Sequence, residues 1–476
     1  MPTLDLEKSY VDKNFLGSHQ NFEDICFNFG VELDDTVKDA ATDKIIYKID
    51  IPPNRLDLLC PEGLIQNLNV YSNKSSIPLY KVSVDQEIKM IVNKNVKDIR
   101  PYIRCALLKD VSLNKDSFKN FINYQEKLHS TIAKHRTLAS IGTHDFDKIA
   151  FPFYYSAQDP SNTSFVALKQ KESMNSIELF KILKKDLHLG KYLHIIEKNQ
   201  NFPYVLDKNG NVLSLPPIIN SSLSQIDINT KNILIEVTGT DLQRVEIVFK
   251  CIVANYSQYC RNQFSVTQIP VVYDSNHQET TNLIENDVAI SVSEICQSIG
   301  IEKDVKTVNQ SLQRMSIKSI EKDGLIVASI PWFRSDVINK VDIIADVATG
   351  YGLSNVKLTV PKLTCLGSHL PLTKLVNALR IELSQCNIKE SLTFTLCSKD
   401  DISTNLLEDW SVNSQNIALK IDNPKTFEFQ VIRTTLIPGL LKTISSNRSL
   451  KLPISIFEIS DVVHLENNCN LLIFIE

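Results

Sequence analysis

The chain has 476 residues, of which 43% are apolar, and a formal net charge of −4. This length predicts about three domains, and the charge excludes the overall basic character of many nucleic-acid-binding proteins, so that any RNA contact must be local. Its ten cysteines form no CxxC pair and no Cys/His cluster at zinc spacing, which predicts free thiols in a reducing cytosol. We find neither a signal-peptide pattern nor an apolar run of the roughly 18 residues that a membrane helix needs.

The first segment, residues 1–92, reads as a mixed α/β domain. NFEDICFNFG predicts a helix that ends near Gly30, and IIYKID predicts a strand that ends before two prolines. A second helix is expected to begin at Pro61, because proline suits the first helical position. Between them, Arg55 and Asp57 form either a local ion pair or a contact that locks domains together. The predicted buried face of the second helix is Leu64, Leu68 and Tyr71.

The second segment, residues 93–275, carries polar residues at candidate strand ends. SFKNFINYQEKLHSTIAKH predicts a helix, and LASIGTHDFDKI predicts a turn on Gly142. In the predicted strand ILIEVTG, Glu236 and Thr238 lie two residues apart and therefore point to one side. That side faces either a pocket or the wet surface of a sheet. The predicted helix has these residues along one side: Phe118, Ile122, Gln125 and His129.

A basic cluster lies between residues 175 and 199. Lysines of this kind usually form the solvated face of a helix, and the alternative is contact with phosphate. The cluster consists of Lys181, Lys184, Lys185, Lys191 and Lys198.

The third segment, residues 280–358, predicts a hairpin around Lys322-Asp323-Gly324 and then a helix capped by Ser335 or Asp336 and stopped by Gly350 and Gly352. Helical spacing predicts that its buried face is Val337, Val341, Ile344 and Ala348.

Three acidic residues of this segment have two interpretations. Asp342 and Asp346 are neighbours on the helix, and Asp336 precedes them by about a turn and a half. They are either a cap with two solvated acids or an all-oxygen site for a hard cation such as Mg²⁺.

The last segment, residues 365–476, predicts a helix in TKLVNALRIELSQC and another in TLIPGLLKTISSN. SLTFTL, IALKIDN and PISIFEISDVV predict strands. The chain lacks a Walker loop, GxGxxG, HExxH, GxSxG and a glycine-rich motif that ends in arginine. Because these motifs are absent, the sequence gives no sign of a nucleotide-activating or serine-hydrolase site.

Several ordered motifs resemble the β subunit of phenylalanyl-tRNA synthetase, in its archaeal and eukaryotic cytosolic form. They are IDIPPNRLDLLCPEGL, IGTHDFDKI, SLPPIINSS, IEVTGTD, PWFRSDV with DIIADVATGYG, and NPKTFEFQVIRTTLIPGLLKTISSN with FEISDVV. The resemblance implies an α₂β₂ assembly in the cytoplasm, in which the α subunit uses ATP to charge tRNA(Phe). It also implies that the β subunit is a scaffold that hydrolyses mischarged Tyr-tRNA(Phe).

The implied fold class is multidomain α+β. It comprises an N-terminal mixed domain, an editing domain (93–275), a winged-helix-like hairpin and helix domain (280–358), and a partial antiparallel domain. The last of these resembles a class II synthetase core without catalytic residues. The family continues for roughly a hundred residues beyond the match to this chain.

The resemblance places the editing pocket on matching positions of the second segment. We expect Glu236 to accept the phenol O–H, and the hydroxyl and amide groups to orient a water that attacks the ester without a covalent intermediate. Leu206 is a weaker match because the spacing of its loop varies. The implied pocket residues are Glu236, Thr238, Ser214, His144 and Asn220.

The family's cation site, shared with the α subunit, matches Asp336, Asp342, Ala345 and Asp346. The family has glutamate where this chain has Ala345, so one of four anionic ligands for Mg²⁺ is lost. Two other readings of the whole chain remain. One is a scaffold and tRNA-binding subunit with an inactive editing pocket, and the other is a free-standing hydrolase or RNA-binding protein without an α partner.

Overall fold

The computed structural model describes residues 2–17, 22–39, 43–274, 277–360, 367–406 and 418–465. The chain divides into two compact units, Met1–Leu358 and Thr359–Glu476. Helices and several separate sheets alternate along it, which confirms the α+β class. Within the described ranges, every helix is too short or too polar to cross a membrane.

The first unit begins with a small antiparallel sheet in the order β1-β3-β2. The predicted helix at Pro61 is confirmed, and its Leu64 and Leu68 are fully buried. Arg55 binds Asp57 through two hydrogen bonds, so the local ion pair is also confirmed. The elements are β1 (Thr3–Glu7), α1 (Lys8–Asn14), α2 (Phe22–Phe29), β2 (Glu32–Lys38), β3 (Ile45–Asp50) and α3 (Pro61–Tyr71).

Two larger sheets and three helices follow. The five-stranded sheet has the order β4-β15-β6-β14-β7, and the seven-stranded sheet has the order β13-β12-β11-β8-β5-β16-β17. The elements are β4 (Lys81–Val84), β5 (Met90–Val92), β6 (Tyr102–Leu108), α4 (Lys115–Ser130), β7 (Ala139–Asp145), β8 (Phe153–Gln158), β9 (Ser164–Phe165), β10 (Met174–Asn175), α5 (Ser176–Leu183), β11 (Phe202–Leu206), β12 (Val212–Leu215), β13 (Ile219–Asn220), β14 (Ile233–Gly239), α6 (Leu242–Tyr256), β15 (Ser265–Ile269), β16 (Val271–Asp274) and β17 (His277–Glu279).

Strand β14 separates two apolar cores because its side chains alternate between the two faces of the sheet. Ile235 and Val237 belong to the core that contains helices α4 and α6. Leu234 belongs to the core between the two large sheets, together with residues of β5 and β8. Glu236 and Thr238 share the side of Leu234 and are buried, so they do not lie on the wet face of a sheet.

The five lysines between residues 175 and 199 do not share one helix. Helix α5 ends at Leu183, and Lys191 lies in the 3-10 segment Gly190–Ile195. All five are exposed to solvent. Lys184 pairs with Glu197.

The last part of the first unit confirms the predicted hairpin. Strands β19 and β20 pair antiparallel, and both Asp323 and Gly324 have positive φ in the turn. The sheet order is β18-β20-β19. The elements are β18 (Asn286–Ser291), α7 (Val292–Ile299), α8 (Val305–Arg314), β19 (Lys318–Lys322), β20 (Leu325–Ile330) and α9 (Lys340–Tyr351).

Helix α9 begins later than predicted. Asn339, and neither Ser335 nor Asp336, is its N-cap, because its side chain accepts a hydrogen bond from the Val341 amide. The predicted buried face is wrong at Val341, which is 63% exposed, whereas Val337 is buried as predicted and Ile344 is partly buried. The helix also buries Ile343 and Val347. The predicted stop is confirmed at Gly352, since the helix ends at Tyr351 and Gly352 has a φ of +95°, whereas Gly350 lies within the helix.

The second unit contains short strand pairs. Strands β21 and β24 are parallel, whereas β22 and β23 are antiparallel, so the expected antiparallel sheet is not seen in the described residues. The parallel pair is possible because α11 lies in the long connection between its strands. The predicted strand IALKIDN begins at Ile417, outside the described residues. The elements are α10 (Pro371–Gln385), β21 (Lys389–Glu390), β22 (Leu396–Cys397), β23 (Val431–Ile432), α11 (Ile437–Ser446) and β24 (Ile456–Phe457).

Candidate functional site

Glu236 lies in the middle of β14 and is only 2% exposed. Its partner across β7 is Gly142, and a Cβ built on Gly142 would lie 2.3 Å from Glu236 Oε1. The sequence predicted a turn centred on Gly142, but Gly142 is a strand residue. From the opposite sheet, Ser214 Oγ donates a hydrogen bond to Glu236 Oε1 at 2.5 Å. The two sheets thus meet at this carboxyl group.

His144 lies two residues beyond Gly142 in β7 and is fully buried. Its Nε2 is 3.5 Å from Glu236 Oε1, and its Nδ1 is 2.8 Å from Ser224 Oγ, which orients the ring. Both His144 Nε2 and Glu236 Oε2 are buried and have no hydrogen-bond partner among the described residues. One carboxylate oxygen of Glu236 and one imidazole nitrogen of His144 are therefore unused by the described residues.

Thr238 is held by a buried arginine that the sequence did not indicate. Arg100 Nε donates to Thr238 Oγ1 at 3.0 Å, and Ser140 Oγ lies 3.0 Å from the same oxygen. Arg100 Nη2 also donates to the Thr238 carbonyl oxygen at 2.9 Å. Burial lowers the pKa of Arg100 to about 10. Thr238 is thus fixed by hydrogen bonds with both Arg100 and Ser140.

Glu236, Gly142, Ser214 and Ser140 border a cleft of about 470 Å³. Its walls come from β7 and β14, from the segment between β12 and β13, and from helix α4. The α4 wall is the helix side that the sequence predicted, namely Phe118, Ile122, Gln125 and His129.

The structure brings the five predicted pocket residues together in two layers. Glu236, Ser214 and Asn220 line the cleft, and Asn220 Nδ2 donates to the Thr143 carbonyl oxygen at 3.3 Å. The other two residues, His144 and Thr238, are buried behind this surface. Leu206 is buried in a separate apolar core and does not line the cleft.

Ionisable side chains on α4 and after it border the same cleft. His129 Nε2 accepts a hydrogen bond from the Ile141 amide at 2.9 Å, and burial lowers the pKa of His129. Arg136 Nη2 donates to Glu126 Oε1 at 2.5 Å. Burial opposes ionisation of Glu126, but its hydrogen bond with His129 and the charge of Arg136 outweigh it and lower the pKa of Glu126 to about 2. No local sequence signal distinguished Glu126 or Arg136.

The candidate cation ligands before and on α9 bind an arginine. Arg334 Nε and Nη2 donate to the two carboxylate oxygens of Asp336, each at 2.8 Å, and Nη2 also donates to Asp346 at 2.8 Å. Although burial opposes its charge, attraction to Asp346 and Asp336 raises the pKa of Arg334. The guanidinium group thus neutralises these two acids.

The third acid has a different role. Asp342 Oδ2 accepts hydrogen bonds from the backbone amides of Ile338 at 2.8 Å and Asn339 at 3.0 Å, which caps helix α9. Ala345 contributes no side-chain oxygen. Across the part of the chain that the structure describes, no three acidic, histidine or cysteine side chains are grouped as metal ligands. This donor set does not fit Mg²⁺ in the single chain.

Three family models match the chain in succession. They are the Phe-tRNA synthetase beta subunit B1 domain at residues 1–74, the tRNA synthetase B5 domain at 288–353, and the phenylalanyl tRNA synthetase beta chain CLM domain at 356–471.

Curated relatives cover nearly the whole chain. The chain is 40% identical to the phenylalanine–tRNA ligase beta subunit of Homo sapiens, over 98% of this chain and 82% of the relative. It is 39% identical to the cytoplasmic phenylalanine–tRNA ligase beta subunit of Arabidopsis thaliana, over 98% of this chain and 81% of the relative. The crystal structure of an N-terminal fragment of the Pyrococcus horikoshii beta subunit matches with a TM-score of 0.67 and 29% identity, and covers 74% of this chain and 99% of the fragment. The chain therefore belongs to the phenylalanine–tRNA ligase β-subunit family.

Proposed function

We propose that this chain hydrolyses Tyr-tRNA(Phe) in the cleft beside Glu236, as the editing subunit of a phenylalanine–tRNA ligase. The observation that carries this proposal is Glu236 Oε2, a buried acceptor at the wall of a cleft that has no hydrogen-bond partner in the described part of the chain. Leaving such an atom unpaired costs about 1–3 kcal/mol. A ligand that brings a hydroxyl donor to this atom recovers that energy.

The chemistry of the two amino acids explains the need for such a site. A pocket for phenylalanine discriminates poorly against a ring that merely adds a hydroxyl group, so a second site improves accuracy. In this second site, the phenol O–H of tyrosine donates to Glu236 Oε2, while Ser214 occupies Oε1. Phenylalanine offers no donor and would leave the carboxylate unpaired, which favours tyrosine.

The reaction proceeds by direct attack of water on the ester. A bond forms between the water oxygen and the carbonyl carbon, and the bond from that carbon to the ribose oxygen breaks. The ribose oxygen takes up a proton in place of the one that the attacking water gives up, so the step is balanced. Asn220, on the cleft wall, orients the water or the carbonyl oxygen. Ser224, the partner of His144, is fully buried and does not line the cleft. Its hydroxyl is therefore not placed to form an acyl intermediate.

The test is hydrolysis of Tyr-tRNA(Phe) by the complex with the co-expressed α subunit. We expect Glu236→Ala to lower kcat/KM about 10- to 150-fold, the equivalent of a charge-assisted hydrogen bond of about 1.5–3 kcal/mol. Phenylalanylation of tRNA(Phe) should keep its wild-type rate. Unchanged hydrolysis in Glu236→Ala would contradict the proposal, and a wild-type complex that does not hydrolyse Tyr-tRNA(Phe) would support a scaffold with an inactive pocket.

We also propose that the chain is a scaffold for an α subunit in an α₂β₂ complex that binds tRNA(Phe), with ATP used on the α subunit. Helix α10 supports a partner, because it buries none of its residues and leaves Leu375 and Ile381 at least half exposed. The name of the Arabidopsis thaliana relative favours a cytoplasmic location. Co-purification and mass measurement test this proposal, and a chain that stays alone beside its co-expressed α subunit would contradict it. Because the donor set of the single chain does not fit Mg²⁺, the proposed hydrolysis is written without a step that uses this ion.

A further inference from the structure

Two further unused polar atoms belong to residues that line the same cleft. Gln125 Nε2 and Arg136 Nε are buried and have no hydrogen-bond partner among the described residues. Both residues line the same cleft as Glu236, and they come from α4 and the segment that follows it. Because unpaired buried donors are costly, their grouping in one cleft indicates a ligand.

Arg136 is held rigidly in place. Its Nη1 donates to the Ile218 carbonyl oxygen at 3.1 Å, its Nη2 binds Glu126, and its guanidinium carbon lies 4.6 Å from the centre of the Tyr192 ring. Lys134, His135 and Arg136 have positive φ angles of 48°, 51° and 67°, in that order. Such conformations are uncommon outside glycine and are often found at functional sites. The guanidinium is thus oriented before a ligand binds, with Nε unused.

The hydrogen bonds already made around Gln125 and Arg136 determine which kind of ligand atom can bind there. The nearby carboxylate, Glu126, is already engaged by Arg136 and lies 3.4 Å from His129 Nδ1. His129 uses Nε2 to accept the Ile141 amide. What remains is the amide donor of Gln125 and the donor of a cationic guanidinium, 8% and 9% exposed. As hydrogen-bond donors, they suit oxygen acceptors.

We propose that Gln125 and Arg136 bind the ester and ribose oxygens of the terminal aminoacyl-adenosine, while Glu236 binds the phenol in the same cleft. This inference rests on the proposed editing function, and it names the residues of the same site that bind the ester and ribose part of the substrate. An aminoacyl ester carries several oxygen acceptors next to its carbonyl carbon. Fixing them positions that carbon for water, which is a large contribution to the rate of a hydrolysis reaction.

Two ligands distinguish the contacts to the phenol from the contacts to the ester and ribose. One is L-tyrosine, and the other is 3′-tyrosylamino-3′-deoxyadenosine, whose amide link resists hydrolysis. Binding is measured by calorimetry on the complex with the α subunit, whose own amino-acid site is saturated with a non-hydrolysable phenylalanyl-adenylate analogue. Wild-type protein should bind the adenosine compound more tightly than L-tyrosine.

Arg136→Lys keeps the positive charge but removes Nε–H, and Gln125→Met keeps the length of the side chain but removes the amide. Each should weaken binding of the adenosine compound about tenfold, the loss expected for one hydrogen bond, and leave binding of L-tyrosine unchanged. The matched control is Arg104→Lys. Arg104 is also a buried arginine with an unpartnered Nε, but it does not line this cleft. Its variant should bind both compounds like wild type.

The outcomes distinguish this inference from the proposed function. Wild-type affinity for the adenosine compound in both variants, or an equal loss for both compounds, would overturn the assignment of Gln125 and Arg136. If Glu236→Ala still lost tyrosine binding in that case, the editing proposal would survive. A wild-type complex that binds neither compound would overturn both. The two variants alter different contacts, so misfolding of one leaves the other as the test.

Discussion

Substitution of Gly142 by alanine tests whether the position of Glu236 against β7 is needed for editing. The added Cβ would lie 2.3 Å from Glu236 Oε1, 2.9 Å from Cγ and 3.0 Å from Cδ. Since all three atoms are too close, the whole side chain must move and lose the hydrogen bond from Ser214. That bond to a charged group contributes about 1.5–3 kcal/mol, and alanine in a strand recovers about 0.5–1 kcal/mol. We expect a net loss of about 1–2 kcal/mol in the free energy of unfolding.

The effect on catalysis should be larger than the effect on stability. If Glu236 no longer meets the phenol, kcat/KM for Tyr-tRNA(Phe) should fall about 10- to 150-fold. Single-turnover hydrolysis by the complex and urea denaturation of the chain measure the two effects. Gly367→Ala is the control, because a Cβ there meets no atom within 4 Å. Wild-type hydrolysis and stability in Gly142→Ala would refute the proposed role of this contact.

Further predictions concern two ion-pair clusters. Arg334→Met should lower the free energy of unfolding by about 3–5 kcal/mol in urea titrations, because Asp336 and Asp346 lose their buried counter-charge; full stability would contradict this. Because Arg334 neutralises these acids, adding Mg²⁺ to the EDTA-treated chain should leave Tm unchanged, and a rise of several degrees would oppose this reasoning. Glu126→Gln should destabilise the protein at pH 7. Since the pKa of Glu126 falls from 4.5 to about 2 on folding, its stabilising effect is lost as pH drops through that window, and the two proteins should converge in denaturation measurements.

Local patterns in the sequence were sufficient for several elements of the fold. Proline at the first helical position predicted helix α3 from Pro61, and the spacing of Leu64 and Leu68 predicted its buried side. Alternation of side chains placed Glu236 and Thr238 on one face of β14. These predictions succeed because backbone preferences and side-chain periodicity depend on residues within a few positions of each other.

The start of helix α9 shows where local reasoning fails. Ser335 and Asp336 are suitable caps by residue type, but Arg334 binds both carboxylate oxygens of Asp336. The N-cap is Asn339 instead. The helix buries Ile343 and Val347 and leaves Val341 exposed. The same arginine determines that the acids do not form a cation site in the single chain, which their spacing alone left open.

What the sequence by itself determined is the family, the α+β class and the shared side of Glu236 and Thr238 on their strand. Only the tertiary structure placed Ser214 of one sheet on Glu236 of the other, Gly142 beneath that carboxyl group, and Arg100 behind Thr238. These partners are 22, 94 and 138 positions apart in the chain. Contacts over such separations depend on strand register and on the packing of one sheet against another, which no short segment encodes.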